Sequence, residues 1–161
     1  MKAAILTVST SVAAGRTEDL SGRALVEHAE AAGAEVTVRD VLPDDRDSIE
    51  RWLRDHACDE TSLIFTTGGT GLTPDDVTPE ATRAVIERDA PGFAEAMRAE
   101  SLRHTPLGIL TRGVSGIVGR TLIINFPGNP KAISQLFPVI APTLEHAVAT
   151  LRREGGRPAG H

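Results

Sequence analysis

The sequence predicts an α/β domain of three layers, α/β/α, around a mostly parallel sheet with one antiparallel strand. Three observations predict it. Strand-like apolar runs alternate with helix-period segments along the whole chain, the pattern of α/β domains. The runs at 3–8, 63–65 and 121–126 read as buried strands, the first and second as central ones. Residues 107–112 and 120–126 lie close enough in sequence to form a hairpin, which supplies the antiparallel member. At 161 residues the chain suits a single domain that buries about 70% of its unfolded surface. We assign that domain to residues 1–153 and expect 154–161 to be a disordered tail.

The elements follow in order. Residues 3–8 form the first strand. Ser9–Ser21 is a polar loop of small residues, long for a βα connection and therefore a candidate for function. Ser21 is a plausible N-cap for a helix with Leu25, Ala29 and Ala32 on one face, closed by Gly33. Residues 34–42 alternate as a strand, which Pro43 ends. Asp44–Asp47 leads into a helix carrying Ile49, Trp52 and Leu53. After the 63–65 strand, Thr78-Pro79-Glu80 reads as N-cap, first-turn proline and first-turn acid of a helix interrupted at Ala90-Pro91-Gly92. A short helix over 93–103 follows. Leu107–Leu110 reads as a short strand and Thr111–Gly119 as a glycine-punctuated turn. After the 121–126 strand, Asn129 and Pro130 open a helix. Pro138 and Pro142 predict a break or kink near 137–138 before it resumes to about 153.

Composition excludes several functions. The net charge of −5 and an aromatic content of 3%, with no Tyr, argue against a nucleic-acid or membrane surface and against base-stacking platforms. No run approaches the roughly 20 apolar residues of a membrane span, and the first apolar run is too short for a signal segment, so the expected location is cytoplasmic. The single cysteine, Cys58, cannot form an internal disulfide.

The chemistry concentrates in Ser62–Ala81. Glycine backbone at Gly68, Gly69 and Gly71 lets N–H groups converge on one point without an obstructing Cβ. Asp75, Asp76 and a helix start follow at once. Three loops, Ser9–Ser21, Thr67–Asp76 and Phe126–Lys131, each leave the C-terminal end of an expected parallel strand, the edge where open α/β sheets bind ligands. The Pro127–Pro130 loop is expected to form a wall opposite the glycine loop. Two helix N-termini at about 0.3–2 kcal/mol each are too weak to hold a triphosphate on an acidic protein. A divalent cation such as Mg²⁺ is implied, with Asp44, Asp75 and Asp76 as its candidate carboxylates. Arg112 and Lys131 are the cations placed to meet phosphate. The loop lacks the Gly-Lys-Ser/Thr ending of a Walker A motif and the spacing of a dinucleotide fingerprint. No His/Cys cluster has zinc-ligand spacing, the histidines read as surface residues, and no serine stands beside a histidine base.

These residues resemble a known family. Thr67–Thr82, TGGTGLTPDDVTPEAT, looks like the signature of the molybdopterin-binding fold, and 122–132, LIINFPGNPKA, resembles its second motif. Residues 5–22 are similar to the family's N-terminal loop. The likeness runs from residue 3 to about 152 and points to the stand-alone Mog/MoaB-like proteins of molybdenum cofactor synthesis. It implies a homotrimer that adenylylates molybdopterin with Mg-ATP, both being substrates, and releases pyrophosphate. It also implies a downstream molybdenum-insertion protein as partner. By motif, Asp44 and Asp76 would be catalytic and hold Mg²⁺. Thr67, Gly68, Gly69, Thr70, Gly71, Pro127, Gly128, Asn129 and Pro130 would line the nucleotide and pterin-phosphate sites. Arg112 and Ser115 would sit in the pterin-side loop. The chain differs from the common pattern at Thr10, Thr111, Ser115 and Val118. Because some relatives bind molybdopterin without adenylylating it, a non-catalytic carrier is the alternative. An enzyme acting on another nucleotide or pyrophosphate substrate is a more distant one.

Overall fold

The structure, a computed structural model, describes residues 1–153. The tail assigned to 154–161 lies outside the described residues. The elements are β1 (Lys2–Val8), α1 (Thr10–Ala13), α2 (Leu20–Ala31), β2 (Glu35–Leu42), α3 (Arg46–His56), β3 (Leu63–Thr67), α4 (Thr78–Val85), β4 (Arg88–Asp89), α5 (Gly92–His104), β5 (Ser115–Val118), β6 (Thr121–Phe126) and α6 (Pro130–Leu151). They build one six-stranded sheet in the order β2-β1-β3-β6-β5-β4. The first four strands are parallel, and β5 runs antiparallel to both its neighbours. β5 is therefore the one strand of opposite direction, as expected for the fold class.

The period of two along each strand divides the core. Ala3, Ile5, Leu63, Phe65, Leu122 and Ile124 face α2, α5 and α6. Ala4, Leu6, Ile64 and Ile123 face α3 and α4. Phe65, Phe126 and Phe137 pack with ring centroids 5.3–5.9 Å apart on the first face. Trp52 fills the second, its indole N–H donating to Asp40. Parallel register sets Thr7, Thr67 and Phe126 level, with Val8 opposite Leu42, so four strands end on one line. The opposite edge carries the Ala57–Ser62 connection, where Cys58 is exposed.

Several local expectations are corrected. Leu107–Leu110 belongs to a 3₁₀ turn, Pro106–Leu110, not to a strand. Thr105 caps it by accepting from the Leu107 amide, and Gly108 lies against Ser101. The hairpin partner of β6 is instead Ser115–Val118, within the segment expected to be a turn. Helix α2 is capped by Asp19 rather than Ser21, and the Ser9–Ser21 loop contains the short α1. Thr78 does not cap α4. Its buried hydroxyl donates to the Gly68 carbonyl, and the cap position, Val77, offers no side-chain acceptor. Helix α6 runs through Pro138 and Pro142. Each interior proline costs about 3 kcal/mol, but both lie on the exposed side, where water reaches the carbonyls they free. Ile133, Leu136, Phe137, Ile140, Leu144 and Val148 are buried along the other side, each worth about 1.5–3 kcal/mol.

Candidate functional site

The level strand ends bring four connections to the carboxyl edge of the sheet: Ser9–Asp19 after β1, Pro43–Asp45 after β2, Gly68–Val77 after β3 and Pro127–Asn129 after β6. Because β3 and β6 are neighbours, the glycine loop and the Pro127–Asn129 turn lie side by side rather than opposite one another, which corrects the two-walled expectation. Thr67 Oγ1 donates to the Pro127 carbonyl at 2.8 Å, and a Cβ on Gly128 would stand 3.1 Å from the Gly68 Cα. Thr67 is thus fully buried and clamps the two loops together.

Gly68 and Gly69 have φ of +95° and +67°. A Cβ on Gly68 would meet the Val8 carbonyl, and one on Gly69 the Thr78 hydroxyl. Glycine is required at both, and the turn it permits swings the chain back over the strand ends.

The two acids come together. Asp44 and Asp76 line one cleft of about 430 Å³ together with Ser9, Ser11, Thr17, Glu18, Gly68, Gly69, Gly128 and Pro130. Thr10 donates from its amide and hydroxyl to Asp44 Oδ2, at 3.2 and 2.9 Å. Thr73 does the same for Asp76 Oδ2, at 3.0 and 2.9 Å. Each carboxylate is held by one oxygen, Oδ2, and among the described residues neither Oδ1 has a hydrogen bond. Asp75 is exposed and does not line this cleft.

On the other side of the glycine loop, Gly68–Gly71, Asp76, Leu110, Thr111, Pro127 and Gly128 line a second cleft of about 370 Å³. Asp76, Gly68, Gly69 and Gly128 belong to both, so they form a ridge between the two. Beyond Thr111 and Pro127 a third cavity of about 400 Å³ opens between α5, the 3₁₀ turn and the start of α6. Arg98, His104, Asn129, Lys131 and Gln135 are among its polar lining residues, and no carboxylate lines it.

The family model described as "Probable molybdopterin binding domain" matches residues 4–146. The chain belongs to this molybdopterin-binding family. The molybdopterin adenylyltransferase of Helicobacter pylori is 39% identical to it over 152 residues, 89% of this chain and 84% of that protein. The molybdenum cofactor synthesis protein cinnamon of Drosophila melanogaster is 43% identical over 112 residues, 69% of this chain and 19% of that protein. The chain thus spans about a fifth of the fly protein's length. The crystal structure of the molybdopterin biosynthesis enzyme MoaB from Thermus thermophilus superposes with a TM-score of 0.87 at 42% identity, covering 93% of this chain and 95% of that one.

Within this molybdopterin-binding domain, two residues stand elsewhere than the motif implied. Ser115 is buried in β5, where its hydroxyl donates to the Ala90 carbonyl and accepts from the Ala94 amide. Arg112 is turned away from the third cavity and into the glycine loop. Its Nε donates to the Gly71 carbonyl at 2.7 Å, Nη2 to the Asp76 carbonyl at 2.8 Å and Nη1 to Glu80. Of the remaining motif residues, all but the fully buried Thr67 reach a cleft. Thr70 and Gly71 line the second, Asn129 the third, and Pro130 the first.

The donor set also fits a metal that arrives with a ligand. Among the described residues no group of three or more His, Cys, Asp or Glu is placed to hold a metal by itself. Asp44 and Asp76 on one cleft supply two carboxylates, the number Mg²⁺ takes when phosphate oxygens and water complete its shell. Sequence reasoning missed the hydroxyls of Ser9, Ser11 and Thr17, which bond to one another along the first cleft. It also missed Arg98 and His104 in the third. The excess of small hydroxyl residues in the long first loop was the available signal for the former. For Arg98 and His104 there was none, since both sit on an ordinary helix. Among the described residues no helix is long and apolar enough to cross a membrane.

Proposed function

We propose that this chain is a molybdopterin adenylyltransferase of molybdenum cofactor biosynthesis, using Mg-ATP and releasing pyrophosphate. One observation carries the proposal: Asp76 stands on the ridge shared by two clefts, the second of which adjoins the third, carboxylate-free cavity through Thr111 and Pro127. The hydroxyl- and carboxylate-lined cleft suits a nucleotide triphosphate with its cation. The carboxylate-free cavity beyond Thr111, with Lys131 at its edge, suits the phosphate-bearing pterin. A terminal phosphate oxygen of molybdopterin then attacks the α-phosphorus of ATP over this ridge. The bond to the bridging oxygen breaks and pyrophosphate leaves. Positioning and charge neutralisation supply the catalysis. Asp44 and Asp76 would hold Mg²⁺, which would neutralise triphosphate charge. The backbone of Gly68–Gly71 and the N-terminus of α6 at Asn129 orient the phosphates.

The product is an activated phosphoanhydride, so a downstream molybdenum-insertion protein is its consumer. The enzyme works in the cytoplasm as a homotrimer. Leu102, Leu107, Ile109 and Leu110, 42–69% exposed on one short stretch, supply apolar surface for subunit contact.

The test mixes the protein with molybdopterin and Mg-ATP. Adenylylated molybdopterin and pyrophosphate in equal amounts are expected. Tight pterin binding without product would make the chain a carrier instead.

A further inference from the structure

We infer that Arg112 is a positioning residue that fixes Asp76 and does not itself bind substrate. Residues 70–77 form no helix or strand, yet they must hold a carboxylate on the ridge between two clefts. Arg112 makes four hydrogen bonds into the adjoining chain. Its amide donates to the Thr70 carbonyl at 2.8 Å, and its guanidinium reaches Gly71, Asp76 and Glu80. The three nitrogens take three separate acceptors, so three of the five N–H groups are engaged and the plane of the group is fixed where it stands. A planar guanidinium can do this, whereas an ammonium on a flexible stem cannot cover the same directions.

The load falls on Asp76. Its carbonyl is held by Arg112, its amide donates to the Thr73 carbonyl at 3.0 Å, and its carboxylate Oδ2 is held by Thr73. A Cβ on Gly71 would stand 2.8 Å from Asp76 Oδ2, so the carboxylate lies directly across the backbone that Arg112 grips. Glu80 anchors the far end from the first turn of α4: its Oε1 accepts from Arg112, and its buried Oε2 has no partner among the described residues. Arg112 also follows Leu110 and Thr111, which line the second cleft. The lining on the pterin side and the acid on the nucleotide side are thereby tied into one body.

This inference rests on the proposed reaction, and its test separates the two. Arg112→Lys and Glu80→Gln are compared with wild type by backbone amide exchange of the full chain and by turnover. Faster exchange at Thr73 and Asp76, with β6 amides unchanged, is expected in both variants and needs no activity to be read. In turnover, Arg112→Lys should lower kcat by about 10–100-fold, with the KM for molybdopterin within about twofold of wild type. Combined with Asp76→Asn it should add little further loss, because both changes act through one group. A raised molybdopterin KM at unchanged kcat would make Arg112 a substrate contact and overturn the inference. So would unchanged exchange at 73–76 in Glu80→Gln, a variant that still folds around the rest of the brace. A wild-type protein without turnover overturns the reaction, and the exchange result still decides the brace.

Discussion

The cleft between Asp44 and Asp76 and the cavity behind Thr111 differ in charge although only the glycine-loop ridge and the small cleft behind it separate the regions. The first is lined by Glu18, Asp44 and Asp76 with no cationic side chain. The other has no carboxylate in its lining and includes Lys131 and Arg98, the latter bonded to the Thr111, Ala94 and Gly113 carbonyls. On a chain with net charge −5 this separation is informative. Two anionic substrates would repel each other and the protein. In the proposed reaction the acidic cleft would take one of them only with a cation, and the other cavity would take its partner with Lys131 at hand. On that proposal, the difference would let a single small domain bring two phosphates together without one site binding both indiscriminately.

Breaking the comparison at its ridge has the largest expected effect. Asp76→Asn keeps shape but removes the charge facing both clefts, and should lower kcat by about 10²–10³-fold, the usual cost of losing one preorganised electrostatic group. Asp44→Asn faces only the acidic cleft. It should cost less and should raise the Mg²⁺ concentration needed for half-maximal rate. An Asp76→Asn protein with wild-type turnover would remove that carboxylate from the mechanism. On the cationic side, Lys131→Gln should raise the molybdopterin KM by about 5–10-fold, the value of roughly 1–1.4 kcal/mol of lost charge interaction, with the KM for ATP unchanged. Equal rises in both would mean that the two regions are not separate sites.

The frame beneath them is sharpened by Gly69→Ala. A side chain at φ +67° that also meets the Thr78 hydroxyl should destabilise by about 1–3 kcal/mol. The melting temperature would then fall by about 2–4 °C per kcal/mol for a domain of this size. The smallest effect is at Asp45, which caps α3 next to the acidic cleft. Hydrogen bonds from the Ser48 hydroxyl and amide hold its carboxyl below the ordinary value of 3.8. A group with a lowered folded pKa stabilises above its unfolded value and loses that contribution as pH falls through the folded one. Asp45→Asn should therefore weaken the protein slightly at neutral pH and remove part of the decline below pH 3.8, as thermal melts across that range would record.

Much of this arrangement was legible in the sequence. The buried strands β1, β3 and β6 carry apolar runs, Asn129-Pro130 opens α6, Asp44 follows the end of β2 and Asp76 comes just before α4. What escaped was decided by contacts distant in sequence. Arg112 sits among glycines like a free loop cation, but its partners are 32 to 41 residues away. Ser115 looked available beside Gly113 and Gly116, and burial against Ala90 and Ala94 removed it. Leu107–Leu110 is too short for periodicity to separate strand from turn. Thr105 and Pro106 in front of it were the signal, since a capping hydroxyl and a first-position proline favour a helical turn. Strand β5 contains Gly116, which sequence patterns read as a breaker. The structure requires that glycine because the Ile86 side chain packs where a Cβ would be.

All four site connections leave one edge of the sheet, while Cys58 stands exposed on the opposite edge as the chain's single cysteine. The Thr61 hydroxyl bonded to its sulfur lowers the thiol pKa, which favours the nucleophilic thiolate. A fluorophore or surface tether joined there by maleimide chemistry would occupy one defined position and leave both clefts facing outward. The polarity of the sheet thus provides an attachment point for single-molecule or immobilised measurements without an engineered residue.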